Sequence, residues 1–220
     1  QQQFPGGMMN EVKAQIAALE EKTGKKFGGD GNPLLVSVRS GSAMSMPGMM
    51  DTILNLGLNI DTLKSLIAQT GNERFGWDAY RRFIQLFGKV SLGVSDEAFD
   101  AEFESVKKKS GAKQDLSLTA RDLREISDRF LEVVEQETGK PFPDDPMEQL
   151  EIAVKAVFDS WMGKRAVDYR REFNITPEMA NGTAVNVVTM VFGNLGDDCA
   201  TGVGFTRYPD TGENRLFGEY

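Results

Sequence analysis

The sequence contains no histidine and only one cysteine, Cys199. Without histidine, the chain has no imidazole to act as a general acid or base, as a metal ligand or as a phosphoryl acceptor. A single cysteine forms neither an internal disulfide nor a thiolate cage for a metal, which fits a reducing compartment. Any chemistry must therefore rely on arginine, lysine, carboxylates and backbone amides.

The chain also lacks a long apolar run and an excess of positive charge. No stretch approaches the ~20 apolar residues that span a bilayer, so we expect no membrane partner. The formal net charge of -8 disfavours nucleic acid, because protein affinity for nucleic acid comes largely from neutralised phosphates. The sequence begins without methionine and ends directly after strand-like residues, so we expect a piece of a longer protein.

The first 59 residues predict a helix and then a strand. Apolar residues recur at helical spacing over 11–22, and Gly24 follows as a C-terminal stop. A turn-rich segment leads into the β-branched run 34–39, which predicts a buried strand. We expect a loop of small residues over 40–48 and a short apolar segment over 49–58.

The remaining sequence changes from helical to strand-like periodicity. Residues 60–173 predict helices, with a capping box at Thr119 and Asp122 and a further start at Asp145 and Pro146. The apolar stripe of Tyr80, Phe83, Ile84 and Phe87 is expected to be core. From residue 183 the period drops to two, and turns separate the strand-like runs 185–192, 201–207 and 216–220. These runs predict an antiparallel meander, so the fold class is α+β.

Arg39 and the loop after it form the segment best suited to chemistry. Phosphoryl transfer requires cations and amide donors around phosphate oxygens, and an arginine at a strand end followed by Gly and Ser offers both. The loop matches neither the Walker pattern nor G-x-G-x-x-G. On residue type alone, Arg39 also fits an ordinary surface arginine.

The full string around this arginine resembles the nucleotide-binding signature of the pyruvate, phosphate dikinase family. The matching runs are LLVSVRSG (34–41) and SMPGMMDTILNLGLN (45–59), and further matches follow in order at YRRFIQ (80–85), TAVNV (183–187) and MVFGN (190–194). The resemblance covers nearly the whole chain. It implies a partial ATP-grasp domain, built from antiparallel strands with helices, that carries a mainly helical insert.

The resemblance implies roles for ten residues at an ATP site. Arg39 matches the arginine that contacts the ATP phosphates, while Thr189, Met190 and Val191 match the strand that borders the adenine, for which core packing is the alternative. The loop lying over the phosphates corresponds to Ser40, Gly41, Ser45, Met46, Pro47 and Gly48. No catalytic residue is expected within the segment.

The resemblance also implies cofactors, partners and domain limits. Mg²⁺ would enter with ATP, on ligands outside this segment, and the segment alone is expected to bind ATP weakly and to be inactive. The parent would convert ATP, phosphate and pyruvate into AMP, pyrophosphate and phosphoenolpyruvate through a phosphohistidine-bearing central domain, and a homodimer is left open. The expected parts are 1–59 and 174–220 from the ATP-grasp domain and 60–173 as the helical insert.

Three alternatives and the cellular location stay open at this point. Phosphoenolpyruvate synthase and glucan, water dikinase share the ATP-grasp and phosphohistidine logic, although their arginine loops generally lack the SMPGMMD run. A non-catalytic interaction module built on the helical insert is an alternative of a different class. A cytoplasmic location is expected, and a plastid is left open for a plant source.

Overall fold

The structure is a computed structural model that describes residues 4–196 and 198–220. These residues form helices and small antiparallel sheets, which confirms the α+β prediction. They divide into two compact units, of which the first extends to Met190 and the second is Val191–Tyr220.

The elements are numbered in chain order. The helices are α1 (Met8–Thr23), α2 (Ile60–Thr70), α3 (Glu73–Leu92), α4 (Asp96–Ser110), α5 (Ala120–Thr138), α6 (Pro146–Ser160) and α7 (Lys164–Glu172), with a short 3-10 turn at Asp115–Ser117. The strands are β1 (Val36–Ser42), β2 (Thr52–Leu56), β3 (Thr183–Thr189), β4 (Val203–Phe205) and β5 (Phe217–Glu219). The helices α2 to α7 all lie within 60–173, and the assignment of that range as a separate insert stays a prediction.

The first unit contains a three-stranded antiparallel sheet in the order β2-β1-β3. The prediction that Ser40 and Gly41 lie in a loop is wrong, because β1 continues through both residues to Ser42. Pairing with β3 explains the extension: Ser40 lies opposite Val185, and Gly41 lies opposite Ala184. The segment 49–58, expected only to be apolar, supplies β2 and pairs with the other edge of β1.

The predicted single meander of three strands is also wrong. β3 pairs with β1 along its whole length, whereas β4 pairs with β5 in a separate two-stranded sheet. The predicted strands are also longer than those observed. The long connection from Met190 to Gly202 is unlike the two- to five-residue loops that join hairpin strands, so β3 is free to pair with a strand distant in sequence.

The two faces of β3 have different surroundings. Directly opposed residues of antiparallel strands share a face, so Val185 and Val187 lie on the side of Ser40 and Val38. These two valines are half-buried and line a groove with Ile16 of α1. On the other face, the β3 residues Ala184, Asn186 and Val188 are exposed. That exposed face also carries Arg39.

The helix α3 is the centre of the helical part of the first unit. It contacts β2 and the helices α2, α4, α5 and α6, and its expected apolar stripe is buried. Phe83 and Phe87 pack against Phe142, with ring centroids 5.5 and 5.2 Å apart, respectively. This aromatic packing joins α3 to the segment before α6. The contacts of α3 with β2 and of α6 with β1, β2 and β3 connect the helices to the sheet.

Both predicted helix starts are confirmed. The Thr119 side chain accepts a hydrogen bond from the Asp122 amide, and Asp122 accepts one from the Thr119 amide in return. Asp145 caps α6 ahead of Pro146. Among the helices of residues 4–196 and 198–220, none combines the length and the apolar character needed to cross a membrane.

Candidate nucleotide site

Arg39 lies on β1 with an exposed side chain. Its Nε donates a hydrogen bond of 3.0 Å to Ser37 Oγ, and that hydroxyl donates in turn to the carbonyl of Val188 at 3.4 Å. Within the part of the chain that the structure describes, no carboxylate forms an ion pair with Arg39. The hydrogen bond from Nε therefore orients the guanidinium, and its positive charge has no counter-ion among these residues.

Asn186 is a polar residue of the exposed face, and it was not selected from the sequence. It lies directly opposite Arg39 in the β1–β3 pairing. Its Nδ2 atom also lies close to Gly41, since a Cβ on that glycine would be only 2.5 Å away. The two strands thus place an arginine and an amide on one face of the sheet, with the half-buried Gly41 next along that face of β1.

The loop after β1 turns sharply at Pro47 and Gly48. The Met49 amide donates to the Met46 carbonyl at 3.1 Å, and Gly48 has a φ of 71°. Proline followed by a residue with positive φ is the arrangement of a type II turn, which favours glycine at that position. Met46 is buried, whereas Ser45, Pro47 and Gly48 are exposed. The loop is thus anchored at Met46 and open to solvent on either side.

The end of the loop is held by residues from α6 and α7. The Asp51 amide donates to Ser160 Oγ at 3.2 Å, and Arg165 Nη2 contacts Asp51 Oδ1 at 2.8 Å. Arg165 Nη1 lies 3.5 Å from the carbonyl oxygen of Gly48, at the limit for a hydrogen bond. Neither Ser160 nor Arg165 was selected from the sequence, because only the fold brings residues so distant along the chain together.

The three residues expected at the adenine do not share one environment. Thr189 lies opposite Val36, on the half-buried face of the sheet, so its side chain lies on the face opposite to Arg39. Met190 follows on the Arg39 side, and its amide donates to the Leu35 carbonyl at 2.8 Å. Val191 begins the second unit and is exposed. The first unit therefore brings only Met190 of these three to the face of Arg39.

The residues around Arg39 do not fit a divalent metal. Mg²⁺ prefers carboxylate oxygens, usually with several waters, whereas the neighbours of Arg39 are Ser37, Asn186 and Gly41. Within 4–196 and 198–220, no group of three or more acidic or cysteine side chains is arranged to hold a metal ion. The chemistry of this surface instead suits an anion.

An arginine on an open sheet face, followed by a Gly- and Ser-containing loop, has the parts of a phosphate-binding surface. Comparison with known proteins identifies its kind. Residues 2–219 match the family model described as pyruvate phosphate dikinase, AMP/ATP-binding domain. The chain belongs to this family.

Curated dikinases match almost the entire chain. A pyruvate, phosphate dikinase of Entamoeba histolytica is 61% identical over 217 residues, and one of Giardia intestinalis is 53% identical over 219 residues. In both comparisons the match covers 99% of this chain and 24% of the relative. The dikinase of Rhizobium meliloti is 49% identical over 217 residues. The chain thus corresponds to a nucleotide-binding part of these dikinases and spans about a quarter of their length.

Proposed function

We propose that the exposed sheet face around Arg39 binds the phosphates of ATP. The proposal rests on the environment of Arg39. Its side chain is exposed, is oriented by a hydrogen bond to Ser37 and has no carboxylate partner among the described residues. Arginine presents planar donors that match phosphate oxygens, and charge-assisted bonds of this kind are about twice as strong as neutral ones. The nucleotide-binding family supports the same ligand.

The loop after β1 and the edge of the sheet complete the proposed phosphate-binding surface. Gly41 shares the Arg39 face of β1, whereas the Ser40 side chain lies on the opposite face, so Ser40 adjoins Arg39 only through its backbone. Exposed Ser45 and Gly48 offer backbone amides and a hydroxyl to phosphate oxygens, and Pro47, which has no N–H, shapes the turn between them. The side chain of Met46 is buried, so we assign it an anchoring role in the loop. In the described sheet β3 has a single strand neighbour, so its outer edge at Thr189, followed by Met190, has backbone groups suited to an adenine.

At the level of the parent protein, we propose the dikinase reaction that the relatives' names imply. ATP and phosphate would phosphorylate a histidine elsewhere in the polypeptide, releasing AMP and pyrophosphate, and pyruvate would then take the phosphoryl group to give phosphoenolpyruvate. Mg²⁺ would be held by residues outside this segment. Within this scheme Arg39 holds phosphate oxygens and offsets their charge, and it does not transfer a proton.

Arg39→Ala in the full-length protein tests the assignment. ATP affinity, measured by calorimetric titration, should fall about tenfold or more, because a charge-assisted hydrogen bond is worth about 1.5–3 kcal/mol. The exchange between phosphoenolpyruvate and the phosphohistidine should be unchanged. Arg121→Ala is a matched control, since Arg121 is another exposed arginine but lies on α5. Unchanged ATP affinity in Arg39→Ala would refute the assignment, and equal loss in both half-reactions would indicate misfolding.

The isolated 220-residue chain provides a second test. Its described residues supply contacts on only one side of the phosphates. We therefore expect weak ATP binding and no turnover. Titration of the chain with ATP and Mg²⁺ measures this directly. A sub-micromolar dissociation constant would contradict the proposal that further parts of the parent complete the site.

A further inference from the structure

We infer that Arg165 is a positioning residue for the loop that faces the phosphates, acting through Asp51. The inference rests on the proposed function of Arg39 and the loop. Its basis is the contact of 2.8 Å between Arg165 Nη2 and Asp51 Oδ1, with the Gly48 carbonyl 3.5 Å from Nη1 of the same guanidinium. One side chain on α7 thus reaches both the exposed turn and the end of the loop.

The loop needs this support because its exposed part has little else to hold it. Met46 is buried and fixes the start of the turn, while Pro47 and Gly48 project into solvent. The next fixed point is Asp51, whose amide donates to Ser160 Oγ at 3.2 Å. The position of the turn at Gly48 therefore depends on its two ends, Met46 and Asp51.

The helix α7 is suited to hold the loop because it is itself fixed to the end of α6. The Arg170 guanidinium lies 3.9 Å from the ring centroid of Trp161, and Arg170 Nη1 donates to the Trp161 carbonyl at 2.8 Å. Arg165 lies on the same short helix. The Arg170 contacts thus hold the backbone of α7 relative to Trp161, and the Arg165 guanidinium extends from this fixed backbone to Asp51.

We expect this ion pair to fix the position of the loop rather than to add to the overall stability of the fold. The side chains of Arg165 and Asp51 are 64% and 27% exposed, and exposed pairs contribute little to folding. Binding by backbone groups depends on the loop's being held in place before the ligand arrives. Loss of the pair should thus widen the range of loop positions and weaken ATP binding, with little effect on unfolding.

A double-mutant cycle in the full-length protein separates this role from direct contact with the nucleotide. Arg165→Ala and Asp51→Ala should each weaken ATP binding about two- to fivefold, the range that corresponds to an exposed ion pair. The double variant should be no weaker than either single variant, because both substitutions remove the same contact. Arg165→Lys should restore part of the affinity. Arg171→Ala is the matched control, since Arg171 lies on the same helix and pairs only with Asp168 among the described residues.

Hydrogen exchange at the Asp51 amide provides a readout of the loop itself. It should be faster in Arg165→Ala than in the wild type, while amides in the core of α3 exchange as before. Additive effects in the cycle, or wild-type affinity in Arg165→Ala alongside weakened binding in Arg39→Ala, would overturn the positioning role alone. Wild-type affinity in both Arg39→Ala and Arg165→Ala would instead overturn the proposed ATP site.

Discussion

The amide nitrogen of Asn186 occupies the space beside Gly41 that any other residue's Cβ would need. The distance from that Cβ position to Nδ2 is 2.5 Å, well inside van der Waals contact. Because Asn186 is also the cross-strand neighbour of Arg39, the glycine allows an amide to lie on the same sheet face as Arg39. The absence of a side chain at position 41 thus shapes the candidate phosphate surface.

Gly41→Ala should therefore act through Asn186. Its amide is the end of an exposed side chain and can rotate away, so we expect a change in the free energy of unfolding of less than about 1 kcal/mol. ATP affinity of the full-length protein should fall as much as in Asn186→Ala, and the double variant should be no worse. Calorimetric titration measures all three variants.

The matched control for this substitution is Gly182→Ala. A Cβ at Gly182 meets no atom within 4 Å, and this glycine lies just before β3. It should leave ATP affinity unchanged. If Gly41→Ala weakens binding while Asn186→Ala does not, the new methyl group itself obstructs the ligand, and the substitution does not act through Asn186.

The helices were predictable because their signals are local. The capping box of Thr119 and Asp122, the cap at Asp145 and the stripe around Phe83 each depend on residues within one or two turns. The sheet was less accessible. Ser40 and Gly41 have weak strand preference, and they are extended only because β3, far along the chain, pairs with them.

The same argument separates the predicted from the missed residues of the candidate site. Arg39 and its loop were selected from the sequence because they form one continuous string that resembles a known family, and their role stays a prediction. Asn186 and Arg165 lie far from that string in sequence and reach it only through strand register and helix packing. Residue spacing carries no information about such contacts, so a single sequence did not reveal them.

Gln149 should be a major contributor to the stability of the first unit. Its buried side chain accepts from the Gly57 amide at 3.1 Å and donates to the carbonyls of Leu58 and Pro143 at 3.0 and 2.9 Å. Gln149→Leu would leave these backbone groups without their partner. Each unsatisfied buried group costs about 1–3 kcal/mol, so we expect a loss of about 3 kcal/mol in urea unfolding.

Gln136→Leu is the control for this prediction. Gln136 is exposed on α5, and substitutions at such positions usually change stability by less than about 0.5 kcal/mol. A loss below about 1 kcal/mol in Gln149→Leu would mean that water or a rearranged side chain satisfies the Gly57 amide. That result would contradict the bridging role given to Gln149.

Asp78 pairs with two arginines of α3, and its pair with Arg81 is largely removed from solvent. Its carboxylate accepts from Arg81 at 2.6 Å and from Arg82 at 2.8 Å, and the side chains of Asp78 and Arg81 are 13% and 10% exposed. Asp78→Asn would leave the buried guanidinium without a counter-charge. We expect a loss of about 3 kcal/mol in urea unfolding, since breaking one side of a buried pair costs about 3–5 kcal/mol.

Asp61→Asn is the matched control for Asp78. Its partner Lys64 lies one turn further along α2, but the two side chains are 71% and 70% exposed. Exposed pairs contribute about 0–1 kcal/mol, so this variant should unfold at nearly the wild-type urea concentration. Equal losses in Asp61→Asn and Asp78→Asn would show that burial does not strengthen the Asp78 pair.

The pH dependence of stability should reveal the same carboxylate. Burial alone would raise the pKa of Asp78, but hydrogen bonds and charge from Arg81 and Arg82 outweigh burial and hold the pKa below its ordinary value of 3.8. A lowered folded-state pKa stabilises the fold above the unfolded-state pKa, and this contribution is lost as the pH falls through the folded value. The stability difference between wild type and Asp78→Asn should therefore be constant near neutral pH and shrink below about pH 4. Urea unfolding of both proteins from pH 7 to pH 2 measures this difference, and a constant gap across the whole range would contradict the lowered pKa.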